Sequence, residues 1–312
     1  MTERPSTFAA LSAFLFSLLC LTASTVVFSL MSVFGLRTGY FSYLYSAVLQ
    51  GIAFVVPAFL YYQRHKETRP ALRLNRLDPV CTVLVILAAL AGVIALNWLS
   101  VYWSLFLDSL GLVTGTGASL IPRTPTELLL SMVTSALLPA LFEELLFRGF
   151  LLPSLERLGR WTAVLLCGVL FALPHASLEA LPAHLLLGVA LCWLVLLTNS
   201  LFASMLFHGV YNATIILLSY RSMQADPAGA SALPMAEDAL SAMPMVVVLA
   251  GVFWLLLYAA MDRGRNKAKS PLPTPAYTPL AGREKLLLAI SLLLLLGLLA
   301  YTVITMLPGA SA

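Results

Sequence analysis

Residues 286–307 read LLLAISLLLLLGLLAYTVITML, a run without one charged side chain. A helix rises about 1.5 Å per residue, so a run of this length crosses the roughly 30 Å hydrocarbon layer of a bilayer. Its apolar residues surround the whole helix, which suits lipid or a membrane core and not the half-wet surface of a soluble protein. Working outward, eight further stretches of the same kind lie at 8–34, 40–62, 80–103, 127–154, 161–178, 182–198, 200–220 and 244–261. The whole composition agrees. Of 312 residues, 60% are hydrophobic and only 10% charged, against roughly 25% charged in a soluble domain. Disorder, a secreted disulfide scaffold and an ordinary soluble enzyme are excluded. The expected fold is all-α, a polytopic transmembrane bundle of about nine spans. The first run is longer than a signal-peptide core and lacks a convincing cleavage site, so it reads as a retained span.

Positive charge sets the expected orientation, because cytoplasmic loops collect Lys and Arg. With the N-terminus inside, nine spans put Arg4, the Arg64–Arg76 loop, Arg157, Arg160 and the Arg263–Lys285 tail on the cytoplasmic side. That is fourteen basic residues, against Arg37, Arg123 and Arg221 outside, with Arg148 inside the fourth span. The expectation is an integral multi-pass protein of a bacterial plasma membrane, N-terminus cytoplasmic and C-terminus outside. The net charge of +4 then reflects loops beside anionic lipid and no nucleic-acid partner. The oligomeric state is left open. Three regions are expected: a scaffold at 1–126, a core at 127–220 and a C-terminal part at 221–312. Tyr220–Ala242 and the Pro-rich 271–280 read as connectors. Cys20, Cys81, Cys167 and Cys192 all fall in spans, without disulfide or metal spacing, and behave as small hydrophobes.

The informative residues are those that hydrocarbon should exclude, since an ionisable group at the bilayer centre costs about 2.5–3.5 kcal/mol on insertion scales. They fall in three segments: Glu143-Glu144-Leu145-Leu146-Phe147-Arg148-Gly149, Phe171-Ala172-Leu173-Pro174-His175, and His208-Gly209-Val210-Tyr211-Asn212. Residues four apart share a helix face, so Glu144 and Arg148 can pair while Glu143, about 100° round, stays free. His208 and Asn212 share a face by the same spacing and are expected to look into one cavity. Gly149 and Gly209 permit close helix approach. Counted from the cytoplasmic ends, Glu143, His175 and His208 lie about 16, 21 and 12 Å deep, so one site can contain them all. His184, Asn97 and Asn199 have no partner at helical spacing and read as packing residues. Tyr40, Tyr43, Tyr61, Tyr62, Trp98 and Trp103 read as interface belts. Pro174 should kink the fifth span beside His175.

In order and each on its own span, these segments resemble the three motifs of the CAAX protease and bacteriocin-processing family. These intramembrane endopeptidases are related to the Ras-converting CAAX endopeptidase and to abortive-infection proteins. The resemblance covers about 127–220. It implies an endopeptidase acting on a peptide or membrane-anchored protein, of which a CAAX-like or lipidated C-terminus is one form.

The residues support such chemistry independently. Peptide hydrolysis needs an activated water, oxyanion stabilisation and a proton for the leaving amine. Glu143 is placed to act as base, His175 to help hold the water, and His208 and Asn212 to supply oxyanion donors. Glu144 and Arg148 would support them. The same atoms allow a second mechanism, in which Glu143, His175 and His208 ligate a catalytic divalent metal such as zinc. No helix carries the His-Glu-x-x-His spacing typical of legible zinc sites. A different class of function also remains open at this level: a transporter or immunity-type protein that uses the buried Glu/His cluster for protons or a ligand.

Overall fold

The computed structural model describes residues 3–34, 39–112, 121–226, 235–268, 273 and 275–307. All regular structure among them is helical. Nine rods follow in order: α1 (Thr7–Val33), α2 (Tyr40–Arg64), α3 (Pro79–Ser109), α4 (Pro125–Leu158), α5 (Arg160–His175), α6 (Leu181–Thr198), α7 (Leu201–Ala225), α8 (Ala236–Lys267) and α9 (Gly282–Thr305). Eight are long and apolar enough to cross a membrane, and α5 is a shorter apolar rod between them. The protein is an integral multi-pass membrane protein.

Three boundaries differ from expectation. α3 runs on to Ser109, and α8 passes straight through Pro244 to Lys267, so neither follows its apolar run alone. α5 stops at His175, short of residue 178, because the helix tightens into a 3-10 turn over Leu173–His175 at Pro174. Helix also takes both ends of the Tyr220–Ala242 connector. Its residues 227–234 lie outside the described residues, as do Arg37, Lys269 and positions 271, 272 and 274 of the Pro-rich connector.

Prolines shape the rods that carry the site. Wide π-helical stretches occur at Gly51–Val55 in α2 and at Met132–Leu137 and Leu145–Leu151 in α4, each shortly before a proline: Pro57, Pro139 and Pro153. Proline has no N–H for the carbonyl four residues back, and its ring crowds that carbonyl. Widening the turn relieves the crowding, but the carbonyl still needs a donor where there is no water. In all three cases another helix supplies one. Ser17 Oγ donates to Ala53 O at 2.5 Å, Asn212 Nδ2 to Ser135 O at 3.1 Å, and the Tyr62 hydroxyl to Gly149 O at 2.6 Å. Tyr62 is therefore a core residue, only 5% exposed, and Tyr43 is buried too, which corrects their reading as belt residues.

Two helix pairs and one cluster of ion pairs hold the bundle. α3 and α8 run antiparallel. Cys81 Sγ donates to Ala260 O at one end and the Tyr102 hydroxyl to Ala239 O at the other. α5 crosses α6 where Gly168 meets Gly188; a Cβ on Gly188 would lie 2.9 Å from the Gly168 carbonyl oxygen, so only glycine permits this approach. At the rod ends, Glu156 accepts from Arg4 at 3.0 Å and Arg73 at 2.6 Å, Arg157 pairs with Glu284, and Arg263 with Asp78 at 2.8 Å. These basic residues all belong to the set expected on the cytoplasmic face, and the fold gathers them at one end of the bundle.

Candidate active site

The site is built on α4. Glu144 and Arg148 stand one turn apart and pair at 2.8 Å, both fully buried. The guanidinium also donates to Gly188 O at 3.1 Å and lies with its central carbon 4.2 Å above the Phe171 ring. Buried arginine is tolerated here because carboxylate, carbonyl and aromatic face together surround its plane. From α7, His208 Nδ1 donates to Glu144 Oε1 at 2.9 Å. A carboxylate only accepts, so this bond fixes the proton on Nδ1 and the orientation of the ring.

Glu143, rotated away from this pair, lines a cavity of about 570 Å³ together with His175. Its Oε2 is buried and has no hydrogen-bond donor. The cavity walls come from α1, α2 and the end of α9, with Phe147, Phe171 and Pro174 beside the two polar residues. His175 is exposed and lines this cavity. Its position follows from the 3-10 turn. Tightening at Pro174 changes the backbone pairing of the last turn, and His175 Nδ1 donates to Phe171 O at 2.9 Å. A carbonyl also only accepts, so in the neutral ring Nε2 carries the free lone pair. The chain then reverses through Ala176 in the left-handed region, φ 49°.

The structure thus brings Glu143 and His175 to one cavity. His208 is held by Glu144 and does not line the cavity; its ring centroid is 5.9 Å from that of Phe171, which is 5.0 Å from that of His175. Asn212 does not join them at the cavity, contrary to the expected shared outlook with His208, because its amide is taken by the Ser135 carbonyl that Pro139 leaves free. Gly149 and Gly209 do sit at close approaches, to Leu72 and Ala140. Sequence reasoning missed His184, whose ring stacks on His175 with centroids 4.1 Å apart. The two histidines lie either side of a chain reversal, so no helical spacing could have signalled the contact.

The metal alternative can be tested on the same arrangement. Among the described residues no three His, Cys, Asp or Glu side chains are grouped to hold a metal ion. Glu143, His175 and His208 therefore do not form a ligand cluster in this structure.

Rods with apolar surfaces enclosing a carboxylate and an imidazole at a common cavity define a membrane protein with a polar site inside its own bundle. Residues 125–214 match the family described as Rce1-like, type II CAAX prenyl endopeptidase Rce1-like. Over that segment the chain is similar to this endopeptidase family. The match runs from the start of α4 into α7, takes in all three motifs, and covers under a third of the chain. No curated protein and no solved structure matches the chain.

Proposed function

We propose that the protein is an intramembrane endopeptidase that hydrolyses a peptide bond of a membrane-associated substrate with a water activated by Glu143. The observation that carries this reading is the pair of Glu143 and His175 lining one cavity. A water in the cavity would donate to the Glu143 carboxylate and be held from its other side by His175 Nε2. Glu143 then takes a proton from the water as it attacks the scissile carbonyl and returns it to the leaving amine.

His208 and Asn212 were expected to stabilise the oxyanion. His208 has already given Nδ1 to Glu144, so it can donate through Nε2 only as the doubly protonated ring. Asn212 has one amide hydrogen engaged at Ser135. In this reading they act from behind the cavity, positioning α4 and α7, together with the Glu144–Arg148 pair. The family match supports proteolysis as the reaction class. A CAAX-like or lipidated C-terminus fits a substrate that reaches the site from within the membrane.

The test is cleavage of farnesylated and alkyl-anchored peptides by the purified chain in lipid discs. Activity should vanish in both Glu143→Ala and His175→Ala, with thermal stability retained. Full activity in either variant rejects the mechanism.

A further inference from the structure

Direct contacts identify which rod ends lie together. Glu156, near the end of α4, accepts from Arg4 ahead of α1 and from Arg73 ahead of α3, while Arg157 pairs with Glu284 in the first turn of α9. The junction of α6 and α7 reaches the same end, since Leu201 N donates to Arg73 O at 2.8 Å and Asn75 Nδ2 to Asn199 O at 2.7 Å. α5 leaves this end at Arg160 and α6 returns to it at Thr198, so the loop over 176–180 between them lies at the opposite end. Trp103, late in α3, meets that loop, its Nε1 donating to Leu178 O at 2.9 Å. His175 is the last residue before the loop, about 22 Å along its rod from Arg160.

The cavity is graded along the same direction. On α1 its lining runs from Phe14, about 10 Å from Thr7, to Thr25, about 27 Å away. Towards the ion-paired end, Phe14, Leu18, Phe54 and Phe147 form a buried apolar floor. Towards the other end, Thr25, Tyr301 and Thr305 line it and are exposed, Tyr301 by 63%. α9 contributes to the wall only from Leu298 onward, in the part of the rod far from Glu284. Glu143 and His175 thus stand between an apolar floor and a mouth bearing hydroxyls, and the mouth faces away from the ion-paired end. Among the described lining residues Glu143 is the one carboxylate, and there is no Lys or Arg. A charged side chain brought in here would lose its hydration without gaining a fixed partner, so the site suits an uncharged segment.

We infer that the cavity admits an uncharged polypeptide segment from the membrane face opposite the basic loops. Loop charge makes that the extracytoplasmic face, so the substrate is a membrane-anchored chain whose cleavable stretch lies on the outer side. That the segment is cleaved rests on the protease reading; the direction of access does not. Lys66, exposed in the basic loop, marks the other face. Lys66→Cys, Tyr301→Cys and His175→Cys are made singly in the full chain and treated with a membrane-impermeant charged maleimide, in bacterial spheroplasts and in inverted membrane vesicles. The unmodified chain gives the background from the partly exposed Cys20. Tyr301→Cys and His175→Cys should react in spheroplasts and lose that reaction in inverted vesicles, and Lys66→Cys should do the reverse. Ala176→Cys serves if His175→Cys does not fold. Reaction of the cavity cysteines in inverted vesicles, or in neither preparation, overturns the inference, as does reaction of all three from one face. In a second arm, a peptide of Ala, Val and Ser residues is joined to the outer or the inner end of a membrane-spanning helix and co-expressed with the unmodified chain. Cleavage should be confined to the outer version, and cleavage of the inner one also overturns the inference. Cleavage of neither, with the labelling pattern intact, would instead overturn the protease reading and leave the direction of access standing.

Discussion

Glu143 and Glu144 are chain neighbours with identical side chains, and the fold gives them opposite surroundings. Glu144 is enclosed by Arg148 and His208, while Glu143 lines a cavity. The first contrast was legible in the sequence, because i,i+4 spacing pairs Glu144 with Arg148 and turns Glu143 elsewhere. The bond from His208 was not, since it joins different rods. Removing one partner of a buried ion pair strands the other charge, so Arg148→Ala should destabilise the protein by about 3–5 kcal/mol. Thermal unfolding in detergent checks this, and a change under about 1 kcal/mol would mean that the pair is not enclosed as described. His184 is the residue that the sequence concealed. Its stacking on His175 predicts that His184→Ala lowers kcat several-fold and that His184→Phe, which keeps a flat ring, restores most of it. Equal loss in both variants would point away from ring support.

At the scale of the element, the feature that positions the site is the coupling of each proline to a donor on another helix. Pro57, Pro139 and Pro153 are plain in the sequence, and a broken helix at each could have been anticipated. What was not legible is which side chain meets the freed carbonyl, because that depends on how rods far apart in the chain are packed. Asn212 shows the consequence: spacing placed it near His208, yet the carbonyl freed by Pro139 fixes where its amide goes. The coupling can be measured at Pro153. Tyr62→Phe leaves Gly149 O without its donor and should cost about 1–3 kcal/mol, because the oxygen is buried. Adding Pro153→Ala returns a backbone N–H to that carbonyl, so the double variant should be more stable than Tyr62→Phe alone. A purely additive pair would contradict the coupling.

For the whole molecule, length and hydrophobic runs were enough to give a nine-rod helical bundle. Errors fell at rod ends, where Pro174 shortens α5 and where α8 ignores Pro244. At the rod ends, three of the basic residues expected on one face, Arg4, Arg73 and Arg263, are each ion-paired. There, the Arg263 side-chain hydrogen bond holds the Asp78 carboxyl below the usual carboxylate range. A carboxyl depressed in the fold contributes stability that is fully present above its unfolded value and is lost as pH falls through its folded value. Acidification from about pH 5 to pH 3 should therefore lower Tm less in Asp78→Asn than in the unmodified protein. An identical fall in both would show that the pair contributes nothing. The central claim is that Glu143 and His175 share a water-filled space inside the bundle, and it is tested most directly by the double variant Glu143→Cys/His175→Cys in intact membranes. Both cysteines should react with a water-soluble thiol reagent and be joined by a short bifunctional one. Absence of labelling at either position, or labelling without the cross-link, would contradict the account.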